Sequence, residues 1–247
     1  MTISILHVDG RTLFRADTDE VRDAVMRAAD AGVDLAGASL VRADLRGSNL
    51  EGARLAEADL TGAQLDGSNL EDADLRGAKL DDVSARGANL ESVRMTGASL
   101  VRANFDGANL ERVELERANL EEMRAVRANF ERARMSGVRA QRAHWKKSNI
   151  EKCELRGADL SYADLSGANL EKCWLSDARL VEINLSGANV ERADLRGADL
   201  TGANLTEANL EQCDVEGACL DGARLAGANL EDLRGEPKSK DGLGPYR

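Results

Sequence analysis

Nine lysines and arginines fall between Arg124 and Lys152, against only two acids, Glu131 and Glu151. That stretch carries +7 in a chain whose net charge is −11, so the remainder carries −18. Arg124, Arg127, Arg134, Arg139, Arg142, Lys146 and Lys147, with Arg132 and Lys152, form a candidate partner-binding basic belt. Guanidinium and ammonium groups gathered in one place hold carboxylates or phosphates through charge-assisted hydrogen bonds. Four of the belt residues, Arg127, Arg132, Arg142 and Lys147, stand where Gly is frequent elsewhere in the chain. His144 falls in the same stretch.

A second pattern is acidic. Glu recurs every 20 residues from Glu51 to Glu231. Near the N-terminal end the next residues are Gly52, Asp72 and Ser92, so Glu51, Glu71 and Glu91 are expected to stay uncompensated. They form a candidate acidic strip for a basic partner or a divalent cation. Further along, Arg112, Arg132, Lys152, Lys172 and Arg192 follow the glutamates and soften their mutual repulsion.

Catalysis finds little to use. The two histidines, His7 and His144, offer no nucleophile–base pair, and no glycine-rich phosphate loop carries a lysine. No enzyme activity, cofactor or metal is expected. Cys153, Cys173, Cys213 and Cys219 form no CxxC pair, and free thiols are expected. The acidic net charge argues against non-specific nucleic-acid binding. Within the belt only Trp145 could stack a base, and its register places it inside. Sequence-specific nucleic-acid recognition is therefore not expected.

These groups need a scaffold, and the scaffold is a repeat. Every fifth residue from Leu35 to Leu230 is apolar, 40 units in one unbroken register. The residue two before each centre is small or apolar. A period of five fits neither a helix nor a flat strand, and fixed self-similarity means a solenoid. One unit in four is marked: Asn precedes the centre at every twentieth residue from Asn49 to Asn229, and Glu follows it. The marking predicts a four-sided coil of 20 residues with one side always alike. Ten coils at roughly 4.8 Å make a rod about 48 Å long. Units such as ADLRG, ANLED and ADLTG resemble the pentapeptide-repeat family, over residues 33 to about 233. The resemblance implies a right-handed quadrilateral β-helix with the centre and the residue two before it pointing inward.

Side-chain size agrees with that register. One inward column reads Leu45, Leu65, Ala85, Phe105, Ala125, Trp145, Leu165, with Ala125 between the two aromatics. The alanine centres 85, 125 and 140 follow bulky inward neighbours, Val83, Met123 and Val138. Small against large is what a filled interior requires.

Residues 1–32 read as an N-terminal cap. A hairpin turns at Asp9-Gly10, and a helix begins with Asp17 as N-cap and Glu20 three residues on. Val21, Ala24, Val25 and Ala28 form its apolar stripe, and Gly32 ends it. Residues 33–234 form the repeat, and 235–247 read as a mobile tail. Val215, Leu220, Leu225 and Leu230 are expected to be left uncovered as a candidate dimer end, unless Leu243, Pro245 and Tyr246 fold back over them. The start of the chain lacks a signal-peptide pattern and no stretch spans a membrane, so a cytoplasmic location is expected.

The chain thus reads as a non-enzymatic protein-binding scaffold whose partner the residues do not name. The resemblance implies an alternative: a dimeric rod that mimics DNA and binds DNA gyrase, inhibiting or protecting it. The basic belt interrupts the continuous negative surface that alternative requires.

Overall fold

The computed structural model describes residues 1–238. The chain opens with two antiparallel strands, β1 (Thr2–Leu6) and β2 (Thr12–Asp17), followed by one helix, α1 (Val21–Asp30). From residue 34 it coils in a four-sided solenoid. Parallel bridges join residues 20 apart from Asp34↔Arg54 up to Asp214↔Arg234. Each side is a short extended segment. Its centre donates to the coil ahead, as in Leu50 N to Asn69 O at 2.7 Å, and its outward residue donates to the coil behind, as in Asn69 N to Ser48 O at 2.9 Å.

Each corner is a tight turn closed from the third residue after a centre to that centre, as in Ala53 N to Leu50 O at 3.0 Å. The turn needs a positive φ at its third position, which glycine adopts freely. Gly52 supplies it at φ 63, and Arg132 is held there at φ 59. The expected inward positions are buried: Ala85, Phe105, Ala125 and Trp145 are all 0 % exposed. Trp145 packs against Phe130, ring centroids 5.1 Å apart. Cys153, Cys173 and Cys213 are buried too, and their thiols donate to the carbonyls of Phe130, Ile150 and Val190 at 2.8, 2.8 and 2.9 Å. Burial pushes the Cys213 thiol up to about 12 and raises Cys153 strongly, so neither supplies a thiolate near neutral pH. Cys219 is half-exposed.

The cap covers the first coil as its apolar residues predict, with two corrections. Ala24, Val25 and Ala28 join Ile5, Ala16 and Leu35 in one buried cluster, but Val21 is 40 % exposed. The helix starts at Val21 rather than after Asp17, because Asp17 completes β2 and its carboxylate accepts from the Thr2 hydroxyl at 2.7 Å. The hairpin turn does include Asp9-Gly10, within a five-residue loop from His7 to Arg11. The C-terminus of α1 closes as expected. Gly32, at φ 65, donates to Ala29 O, and Val33 donates to Ala28 O, the paired bonds of a Schellman motif.

At the far end, Val215, Leu220 and Leu225 are buried and Leu230 is half-buried. The four do not lie uncovered as a single apolar platform. Val215 donates to Arg234 O at 2.9 Å as the chain runs on over it. Gly235–Lys238, assigned to the tail by sequence, continue the coil. Gly217 donates to Glu236 O, Lys238 donates to Ala218 O, and Pro237 is buried. The rest of the tail, with Leu243, Pro245 and Tyr246, lies outside the described residues.

Candidate functional site

The Asn side of the rod is a continuous amide ladder. Each Asn from Asn69 to Asn229 donates through Nδ2 to Oδ1 of the Asn one coil behind, at 2.9–3.2 Å. The same oxygens accept from the backbone of the following Glu, as in Glu131 N to Asn129 Oδ1 at 3.2 Å. Both the amide and the turn are therefore satisfied by one residue type, which accounts for Asn recurring there without exception.

The adjoining corner holds the glutamates and their cations. Lys152 binds Glu151 at 2.5 Å and lies 3.8 Å from Glu131 one coil behind. Lys172 binds Glu171 at 2.6 Å, and Arg192 lies 3.4 Å from Glu191. Arg112 bridges Glu111 and, one coil behind, Glu91. Glu91 is thus not uncompensated. The sequence comparison within one coil missed the cation on the next. Among the described residues Glu51 and Glu71 form no ion pair, and Glu71 accepts from the Asn89 amide at 3.2 Å. Two carboxylates make a shorter strip than three. Among the described residues no cluster of His, Cys, Asp and Glu is disposed to hold a metal ion.

The belt proves to be a ring. Its 29 residues exceed one 20-residue coil, so it passes all four sides. On two sides it is paired. Arg124 binds Asp106 at 2.9 Å, Arg134 binds Glu114 and Glu116 at 3.1 and 2.7 Å, and Arg132 lies 3.6 Å from Glu131. Among the described residues Arg127, Arg139, Lys146 and Lys147 have no ion pair or side-chain hydrogen bond. Arg142 has none either, but its guanidinium lies 5.9 Å from the centroid of Tyr162. These five cations occupy contiguous sides and corners, with His144 and the ion-paired Arg124 stacked between them.

Tyr162 was not anticipated. It is 52 % exposed and takes a corner position at φ 64, where an aromatic side chain has no packing reason to be. The available signal was an aromatic in a column otherwise filled by Gly and charged residues. A shallow groove of about 560 Å³ runs between Tyr162, Arg142, His144, Arg124, Arg102 and Glu122. A second, of about 200 Å³, joins Tyr162 to Arg139, Gln141 and Glu121. Exposed aromatic rings beside arginines are what interface centres are made of.

No helix among the described residues is long and apolar enough to cross a membrane. Comparison with known proteins completes the picture. The family model for pentapeptide repeats matches over residues 31–112 and 114–232. The crystal structure of HetL is similar: a pentapeptide repeat protein involved in heterocyst differentiation regulation, from the cyanobacterium Nostoc sp. strain PCC 7120. It is 32 % identical, with a TM-score of 0.75, over 87 % of this chain and 97 % of HetL. A trypsin-treated QnrB1, a plasmid-mediated fluoroquinolone resistance protein, matches at 23 % identity and a TM-score of 0.41, over 80 % of this chain and 89 % of that one. No curated protein sequence matches. A repeat unbroken through 40 units, four-sided coiling and a family match along nearly all of the coil agree: the chain belongs to the pentapeptide-repeat family.

Proposed function

We propose that the protein is a non-enzymatic scaffold that binds an acidic protein partner through the unpaired half of its basic ring. The observation that carries this is the set of Arg127, Arg139, Arg142, Lys146 and Lys147, without ion pairs among the described residues, with Arg139 and Arg142 beside the exposed Tyr162. Arg127, Arg142 and Lys147 hold left-handed backbone at φ 59, 57 and 57. A side chain there costs roughly 1 kcal/mol over glycine, and among the described residues no ion pair offsets it. A rigid rod loses little entropy on binding, so a modest charged patch suffices. The four free thiols fit a reducing, cytoplasmic setting. HetL is described by a regulatory role, which fits action through binding rather than chemistry.

The DNA-mimic reading finds less support. From Glu91 to Glu191 the glutamate column is neutralised by its own corner cations, and the ring breaks any continuous negative track.

The test is affinity capture from lysate of the source cells with wild type, Arg139→Glu/Arg142→Glu and Lys152→Glu/Lys172→Glu. One captured protein that is lost with the first variant and kept with the second supports the reading. Capture that ignores Arg139 and Arg142 contradicts it. In parallel, inhibition or quinolone protection of purified DNA gyrase at micromolar protein would favour the mimic.

A further inference from the structure

A different side of the rod carries a second exposed aromatic. Trp174 is 40 % exposed, in an outward column where it is flanked by Glu154 one coil behind and Asp194 one coil ahead. Every other residue of that column from Asp34 to Arg234 is charged. Packing does not call for an indole there, because the inward positions of the same coil, Cys173 and Leu175, already fill the interior. Arg156 lies over the ring, 5.3 Å from its centroid.

Beside Trp174 runs a groove of about 590 Å³ whose far wall is the cationic corner of Arg132, Lys152, Lys172 and Arg192. A second groove of about 480 Å³ continues from Trp174 and Arg192 past Arg156 and Arg196. Lys152 and Lys172 each hold a glutamate on the Asn side at 2.5 and 2.6 Å. An ammonium has three donors, so each keeps donors for a ligand in the groove. The corner cations hold φ values of 58–60, where glycine would sit without strain. Their pairing with glutamate gives them a structural use, but no structural use accounts for Trp174.

We infer that the Trp174 side is a second docking site, for an extended acidic peptide segment that sets an apolar side chain on the indole and carboxylates on the flanking cations. Charge selects this occupant. Glu154, Asp194 and Asp214 line the same grooves, so a uniform phosphate backbone meets repulsion at each step. A peptide can alternate carboxylates with apolar residues and avoid those positions. The site shares no residue with the Tyr162 patch, so the rod would hold two separate partner segments on different sides.

The probe is a fluorescently labelled synthetic acidic peptide with a central Leu pair, followed by anisotropy at low ionic strength. Controls are the same peptide with Lys for Glu and a single-stranded oligonucleotide. The proposal expects binding of the acidic peptide alone. It expects about tenfold weakening in Trp174→Ala and separately in Lys172→Glu. Trp145 is buried, so a peptide-induced change in acrylamide quenching reports Trp174 in the wild type. Any of three results overturns the proposal: no binding by wild type, equal binding of the oligonucleotide, or binding that depends on Arg139 and Arg142 instead of Trp174.

Discussion

Lys147 and Lys152 stand at successive corners of one coil, five residues apart, with φ 57 and 60. Lys152 lies against Glu151 and Glu131, and its side chain is raised in pKa mainly by the bond to Glu151. Lys147 has no ion pair among the described residues, because its own corner offers Lys146 and the corner one coil behind offers Val126 and Arg127. Residue type, backbone and register are the same, and the outcome differs. In a solenoid, whether a charge is already ion-paired is decided by the residues one place and 20 or 21 places away. Counting cations along the sequence finds the ring. Reading its neighbours by coil finds the half that is free.

Six substitutions test that contrast. Ala125→Leu strikes the interior that both corners share. Ala125 is fully buried in the Trp145 column, and overpacking there should destabilise by about 1–3 kcal/mol in thermal or urea unfolding. An unchanged melting curve would mean the column, and with it both corners, is misplaced. Asn129→Ala cuts the ladder in both directions and frees the Glu131 amide. The loss of three hydrogen bonds should cost about 1–2 kcal/mol. His144→Ala, on the free half, should stay within about 0.5 kcal/mol.

Arg142→Gly relieves a left-handed residue that has no ion pair among the described residues, and should stabilise by about 0.5–1 kcal/mol. Lys152→Gly relieves the same backbone but releases Glu151 and Glu131, so its gain should be smaller. Equal gains would erase the distinction between the corners. The smallest effect concerns pH. The Lys172 side chain, hydrogen-bonded to Glu171, lowers that carboxyl below its usual value. A carboxylate lowered on folding contributes stability above its unfolded pKa of about 4.3 and loses it as pH falls through the folded value. The melting-temperature gap between wild type and Glu171→Gln should therefore reflect a few tenths of a kcal/mol at pH 7 and close as pH falls through the lowered folded value.

How much of this was legible beforehand follows from distance along the chain. The five- and twenty-residue periods, the inward alanines against Phe105 and Trp145, and the Asn column are strict repeats, so the coil could be laid out residue by residue. The start of α1 was misplaced because Asp17 can cap a helix or finish a strand, and pairing with Thr2 decides it. Glu91 was misjudged because its cation, Arg112, comes from the next coil. Tyr162 and Trp174 broke the pattern openly in the sequence. Only the fold brings Arg142 and Arg156 over their rings.

Residue-resolved acylation of lysines at low ionic strength, read by mass spectrometry, tests the contrast most directly. A bound ammonium must first leave its carboxylate, so Lys146 and Lys147 should react several-fold faster than Lys152 and Lys172, and the difference should shrink at high salt. Equal rates at low salt would contradict the division of the ring into a paired and a free half.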